Sequence, residues 1–294
     1  MHRSLLSAML SLSVLLSSLV AAQDASYTFT PIDVPGAIST ATTGINNRGQ
    51  IVGRFRDAAG IGHGLIIDGT TITTFDAPGA VVTTEASGIN NRGQIAGVSQ
   101  DAERRLHSFL KDGATITPFD VPGALSTFAT GINDLGQIVG FFINPDDPFG
   151  SHGFLTADGG ATFTIIDVPD AHSTQAFGIN NAGQIVGAFD DATGGHGFVA
   201  DGTTITTIDV PIPGVQSTQA RGINAAGQIV GTFSHPTGVH GFLTDGTTFT
   251  TIDVPSATRF TDPFGINARG QIVGFFGDDI GVLGVHGFVA TPQR

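Results

Sequence analysis

The chain has 294 residues, a formal net charge of −13, no cysteine and one lysine, Lys111. So acidic a surface is a poor partner for nucleic acid or anionic lipid, and without cysteine neither disulfides nor thiolate metal sites can hold the fold. Only 13% of residues are charged while 42 are glycine, a composition suited to many short strands and tight turns.

In chain order, Met1–Ala22 comes first: a basic start (His2, Arg3), an apolar run from Leu5 to Val20, then Val20-Ala21-Ala22 with small residues where a signal peptidase reads. The expectation is a secretory signal peptide over 1–22 and an exported domain over 23–294, secreted or periplasmic. The apolar run is shorter than the about 20 residues of a spanning helix, so no membrane insertion is expected.

Next, Tyr27–Pro35 (YTFTPIDVP) reads as a strand ended by proline, which cannot keep donating to a ladder. Then the repeat begins. Gly-Ile-Asn-x-x-Gly-Gln-Ile-(Val/Ala)-Gly starts at Gly44, Gly88, Gly131, Gly178, Gly222 and Gly265, spaced by 44, 43, 47, 44 and 43 residues. Each copy continues through a His-x-(Phe/Leu) step at His63, His107, His152, His196, His240 or His286. A Thr-rich strand closing on Asp-(Val/Ala)-Pro follows at Asp76, Asp120, Asp167, Asp209 and Asp253.

One copy reads as four strands, which the second places at Thr83–Ile89 (A), Gln94–Ser99 (B), His107–Lys111 (C) and Ala114–Asp120 (D). Asn90-Asn91-Arg92-Gly93 makes the A to B turn, and Asp112-Gly113 is a two-residue hairpin signal between C and D. Four antiparallel strands in such a unit have the size of a propeller blade, so the expected fold is all-β: a six-bladed β-propeller. The N-terminal strand is a D with no A, B or C before it, and the last copy has A, B and C without a D. Closure is therefore expected through pairing of Tyr27–Asp33 with the strand near His286, leaving no open edge.

On these residues the chain resembles the extracellular repeat proteins of the HAF type, whose His-Ala-Phe step stands here as His-Gly-Phe in four copies, His-Gly-Leu in one and His-Ser-Phe in one. The resemblance covers nearly all of 23–294. It implies a bacterial exported protein and supplies no mechanism, cofactor or site.

The repeated histidines are expected to pair with the repeated aspartates and hold strands C and D, as scaffold. The repeated asparagines should start turns, and Gln50 and its equivalents should satisfy backbone groups between blades. Function is expected where copies disagree. Both tight turns lie on one face by antiparallel alternation, so the variable B to C and D to A connections share the other. Three residues before each Gly-Ile-Asn stand Ala41, Glu85, Phe128, Gln175, Gln219 and Asp262; one before stand Thr43, Ser87, Thr130, Phe177, Arg221 and Phe264. The residues between are small and nearly constant, so by alternation the variable ones share a side.

The candidate ligand site is therefore Glu85, Phe128, Gln175, Phe177, Gln219, Arg221, Asp262 and Phe264, facing the channel or its mouth, for an extracellular carbohydrate or protein; the same residues could simply fill the channel. No cofactor, metal or catalytic residue is expected, and the protein should be a monomer. An enzyme reading would use Glu85 with Asp262, helped by His172; a structural envelope or matrix role is the other alternative. Asp57, Asp101, Asp146, Asp147, Asp190, Asp191, Asp278 and Asp279 crowd the B to C loops in spacings that match no defined calcium loop.

Overall fold

The computed structural model describes residues 26–278 and 284–293, so the expected signal peptide and Asp279 lie outside it. The described residues form 24 strands and no helix. They fall into six antiparallel units of four. The A strands are Ser39–Ile45, Thr83–Ile89, Ser126–Ile132, Ser173–Ile179, Ser217–Ile223 and Phe260–Ile266. In the second unit B, C and D are Ile95–Gln100, Leu106–Asp112 and Thr115–Phe119, within a residue or two of the sequence reading. Single parallel bridges join some neighbours, Gly62 to Thr83, Gly195 to Ser217 and Val239 to Phe260, so that the hydrogen-bonded sheets contain twelve, four and eight strands.

The sixth unit draws its D strand from the start of the chain. Tyr27–Ile32 pairs antiparallel with Val285–Pro292, with Tyr27 opposite Pro292 and Ile32 opposite Gly287.

Packing explains most of the motif. The (Val/Ala) of Ile-(Val/Ala)-Gly is fully buried and reaches into the next unit: Val52 packs with Ala86, Ile95 and Phe109 of the second, and Val230 with Ile266, Ile272 and Phe288 of the sixth. The sixth unit's Val273 packs with Ile45, Ile51 and Leu65 of the first. The apolar residue two after each histidine, such as Phe109, Phe154 or Phe242, is 0–1% exposed. The histidine two residues earlier is partly buried, and its Nδ1 meets the aspartate ending strand D at 2.7–2.9 Å in every unit. In the sixth that aspartate is Asp33.

The A to B turn closes on its asparagine. Asn90 Oδ1 accepts from the backbone N–H of Arg92 and Gln94, and Gly93 sits at φ 84°, where a side chain would be strained. The amide of the same asparagine reaches the next unit: Asn46 Nδ2 donates to Asn90 O, and the relay runs through Asn133, Asn180, Asn224 and Asn267, whose Nδ2 donates to Asn46 O at 3.2 Å. This corrects the expectation for the glutamines. Gln94 works within its own unit, Oε1 accepting from Asn90 Nδ2 and Nε2 donating to Asp112 Oδ2, because asparagine, whose turn carbonyl lies beside the next copy, already makes the backbone bond between units.

Candidate functional site

The A strands of all six units line one cavity of about 430 Å³. The glycine opening each Gly-Ile-Asn permits that convergence: a Cβ on Gly88 would stand 3.2 Å from Gly131 Cα, and one on Gly222 would stand 2.4 Å from Phe264 O. Only a residue without a side chain lets the strands approach this closely. The six isoleucines that follow, from Ile45 to Ile266, line both this cavity and a polar one of about 120 Å³ bounded by the asparagine turns, and thus divide the two. Away from that partition the larger cavity reaches Thr83, Gln100 and Leu106, at the B to C and D to A ends of the strands.

Strict alternation does not describe how side chains enter it. In every A strand the register shifts at the residue just before the glycine, as between Thr42 and Gly44 or Ala220 and Gly222. The extra residue is a β-bulge, a device that re-aims a side chain, and it brings Thr43, Ser87, Thr130, Phe177, Arg221 and Phe264 to the cavity wall. Of the eight candidate residues, Glu85, Phe128, Gln175, Phe177, Arg221 and Phe264 line the cavity. Gln219 and Asp262 do not. They stand opposite Thr232 and Phe275, at the strand position that Glu85, Phe128 and Gln175 hold in units where it lines the cavity, and the Asp262 carboxylate lies against Arg221.

Among the lining residues that escaped the sequence reading are Arg54, Val98 and Phe141 of strand B. Each is the Cα partner of a variable A residue, Ala41, Glu85 and Phe128 respectively. The signal was present, since the position after Ile-(Val/Ala)-Gly reads Arg54, Val98, Phe141, Ala188, Thr232 and Phe275. The same test of disagreement between copies, applied to strand B, finds them.

The lining has two characters. From the third unit to the sixth runs an aromatic arc: Phe128 stacks on Phe141 with centroids 4.4 Å apart, Phe141 meets Phe177 edge-on at 6.2 Å, and Phe264 stacks on Phe275 at 5.3 Å. Arg221 fills the gap in that arc, its guanidinium 4.5 Å from the centroid of Phe177 and 4.7 Å from that of Phe264. A desolvated cation between two ring faces gains about 2 kcal/mol or more from the ring quadrupoles. The first two units supply the polar side, where Arg54 and Glu85 form a salt bridge beside Thr43 and Ser87.

Fold comparison places this architecture among known structures. The chain matches no protein-family model and no curated protein sequence. Among solved structures it is similar to TolB from Acinetobacter baumannii (TM-score 0.59, 14% identity, 84% of this chain and 64% of that one). It is also similar to a fucose-specific lectin from Aleuria aurantia (0.54, 13%, 88% and 99%) and to the β-propeller domain of the Trilobed protease from Pyrococcus furiosus (0.53, 12%, 89% and 81%). The architecture is propeller-like.

Electrostatics set Arg221 and Asp262 apart. Arg221 Nε and Asp262 Oδ1 are 4.0 Å apart, and both atoms are buried without a hydrogen-bond partner. Burial pushes the Asp262 carboxyl up to about 6, against the pull of Arg221. The enzyme constellation does not assemble: of Glu85, Asp262 and His172 only Glu85 lines the cavity, and it is held by Arg54, while His172 is exposed. The acidic loop residues organise their own turns. Asp57 Oδ1 accepts from the N–H of Ala59 and Ile61, and Asp101 Oδ1 from that of Arg105.

Proposed function

We propose that the six units close as a six-bladed ring, and that this is an exported, non-catalytic binding protein of the HAF repeat type whose cavity takes an extracellular carbohydrate. Closure is supported by the asparagine relay returning to Asn46 and by Tyr27–Ile32 completing the sixth unit. The observation that carries the binding reading is the two-sided cavity. A saccharide presents a C–H face and a hydroxyl edge, and here an aromatic arc faces a patch of Arg54, Glu85, Thr43 and Ser87 across about 430 Å³, a volume within the range of small-ligand sites. Similarity to the fucose-specific lectin fits this reading at the level of fold. Cavity size favours a saccharide over a protein surface, which could not enter.

A glycan array on the full chain, followed by titration calorimetry of its hits, tests the proposal. Binding that falls at least ten-fold in Phe128→Ala, with the melting temperature retained, is the expected result. An array without hits, or hits indifferent to Phe128, contradicts it.

A further inference from the structure

The two cations at the cavity are held differently. Arg54 is countered by Glu85. Arg221, whose side chain is 19% exposed, has no hydrogen bond; its nearest carboxylate oxygen stands 4.0 Å from Nε, beyond hydrogen-bond reach, on a residue that does not itself line the cavity. The terminal guanidinium nitrogens, the groups that grip a carboxylate as a fork, make no hydrogen bond among the described residues. A cation held between Phe177 and Phe264 on the wall of a cavity, with its fork unspent, is set up to receive an anion.

We infer that the cavity selects an acidic saccharide of the uronic-acid type, its carboxylate against Arg221 and its ring face against the adjoining phenylalanines. This rests on the carbohydrate reading above and narrows it. Burial lowers the Arg221 pKa from its ordinary value while Asp262 and Glu85 oppose that shift. Placement matters too. Phe177 touches both Phe141 and Arg221, so a sugar ring lying along the aromatic arc would bring a ring substituent near the guanidinium. The overall negative charge of the protein is no obstacle at short range, because physiological salt screens exposed charges beyond about 8 Å.

The test is calorimetry of the full chain at neutral pH with hexuronate disaccharides, their methyl esters and the matching neutral hexose disaccharides. The acid should bind at least ten-fold more tightly than its ester, and Arg221→Gln should bring the acid down to the level of the ester. Arg221→Lys, which keeps the charge but not the planar fork, should retain part of the preference. Because the acid and ester are compared first on the unaltered protein, the result does not depend on the variants folding. Equal binding of acid, ester and neutral sugar overturns the charge inference and leaves the carbohydrate reading standing; binding by none of them overturns both.

Discussion

His286 Nδ1 meets Asp33 Oδ1 at 2.9 Å across 253 residues of sequence, in the geometry that the other five units make across 13 or 15. The pair ties the beginning of the chain to its last unit. Beside it, Gln293 N donates to Ser26 O, and Phe29 lies 5.9 Å from Phe288, centroid to centroid. Deleting residues 23–36 should therefore lower the melting temperature of the whole domain in one cooperative transition, read by calorimetry. An unchanged transition, or early melting of the last unit alone, would count against ring closure.

The seam between the first unit and the last has its own residue. Where four other copies carry alanine and one proline, the first has Thr42, whose buried hydroxyl donates to Gly274 O at 2.6 Å and also lies 3.1 Å from Phe288 O. Thr42→Val keeps the volume and strands two buried acceptors, so it should cost about 1–3 kcal/mol in chemical denaturation. Ala86→Ser, at the equivalent position of the second unit, offers a control in which the new hydroxyl replaces no existing bond.

Glycine at the head of Gly-Ile-Asn is a packing requirement. An added methyl on Gly222 would stand 2.4 Å from a backbone oxygen of the next unit, which cannot swing aside as a flexible side chain could. Gly222→Ala should therefore destabilise the domain by several kcal/mol, within the range that overpacking reaches. A melting temperature within a degree of the parent would contradict the close approach of the A strands.

Two pH windows separate the buried carboxyl from the surface histidines. Asp262 has a folded pKa pushed up to about 6, above its unfolded value of about 3.9. The native state thus holds the proton more tightly, and stability from this group falls as pH rises from about 4 to about 6, by up to about 3 kcal/mol. Asp262→Asn should flatten that stretch of the stability profile, with a higher melting temperature than the parent at pH 7.5 and no gain at pH 3.5. His107 is also shifted upward, by hydrogen bonds to Asp120 and then Asp101, against burial. Its contribution is complete below about pH 6.5 and is lost above that as it deprotonates, so Asp120→Asn should reduce stability more at pH 5.5 than at pH 8.

How far the sequence reached follows from which forces it displays. Repetition exposed packing and turn chemistry directly: the isoleucine, valine and phenylalanine positions, the Asn…Gly turn and the His–Asp pairs recur because every unit has the same neighbours. Pairing of Tyr27–Ile32 with Val285–Pro292 was legible because one fragment lacked what the other had. The bulge was not, since nothing in the local residue types distinguishes Ser87 from an ordinary strand residue. Arg54 and Phe141 were missed for a different reason: the comparison of copies was confined to strand A, and their pairing with Ala41 and Phe128 shows why strand B belongs to the same wall.

A ligand seated in the cavity between the A strands, as proposed, must be displaced when that cavity is filled. Ser87 occupies the bulge position that Phe177 and Phe264 hold in other units, so a phenylalanine there suits the backbone while intruding on the cavity. Titration calorimetry of Ser87→Phe against the tightest saccharide hit should show affinity reduced at least ten-fold with the melting temperature unchanged. Undiminished binding by this variant would place the ligand elsewhere and contradict the account.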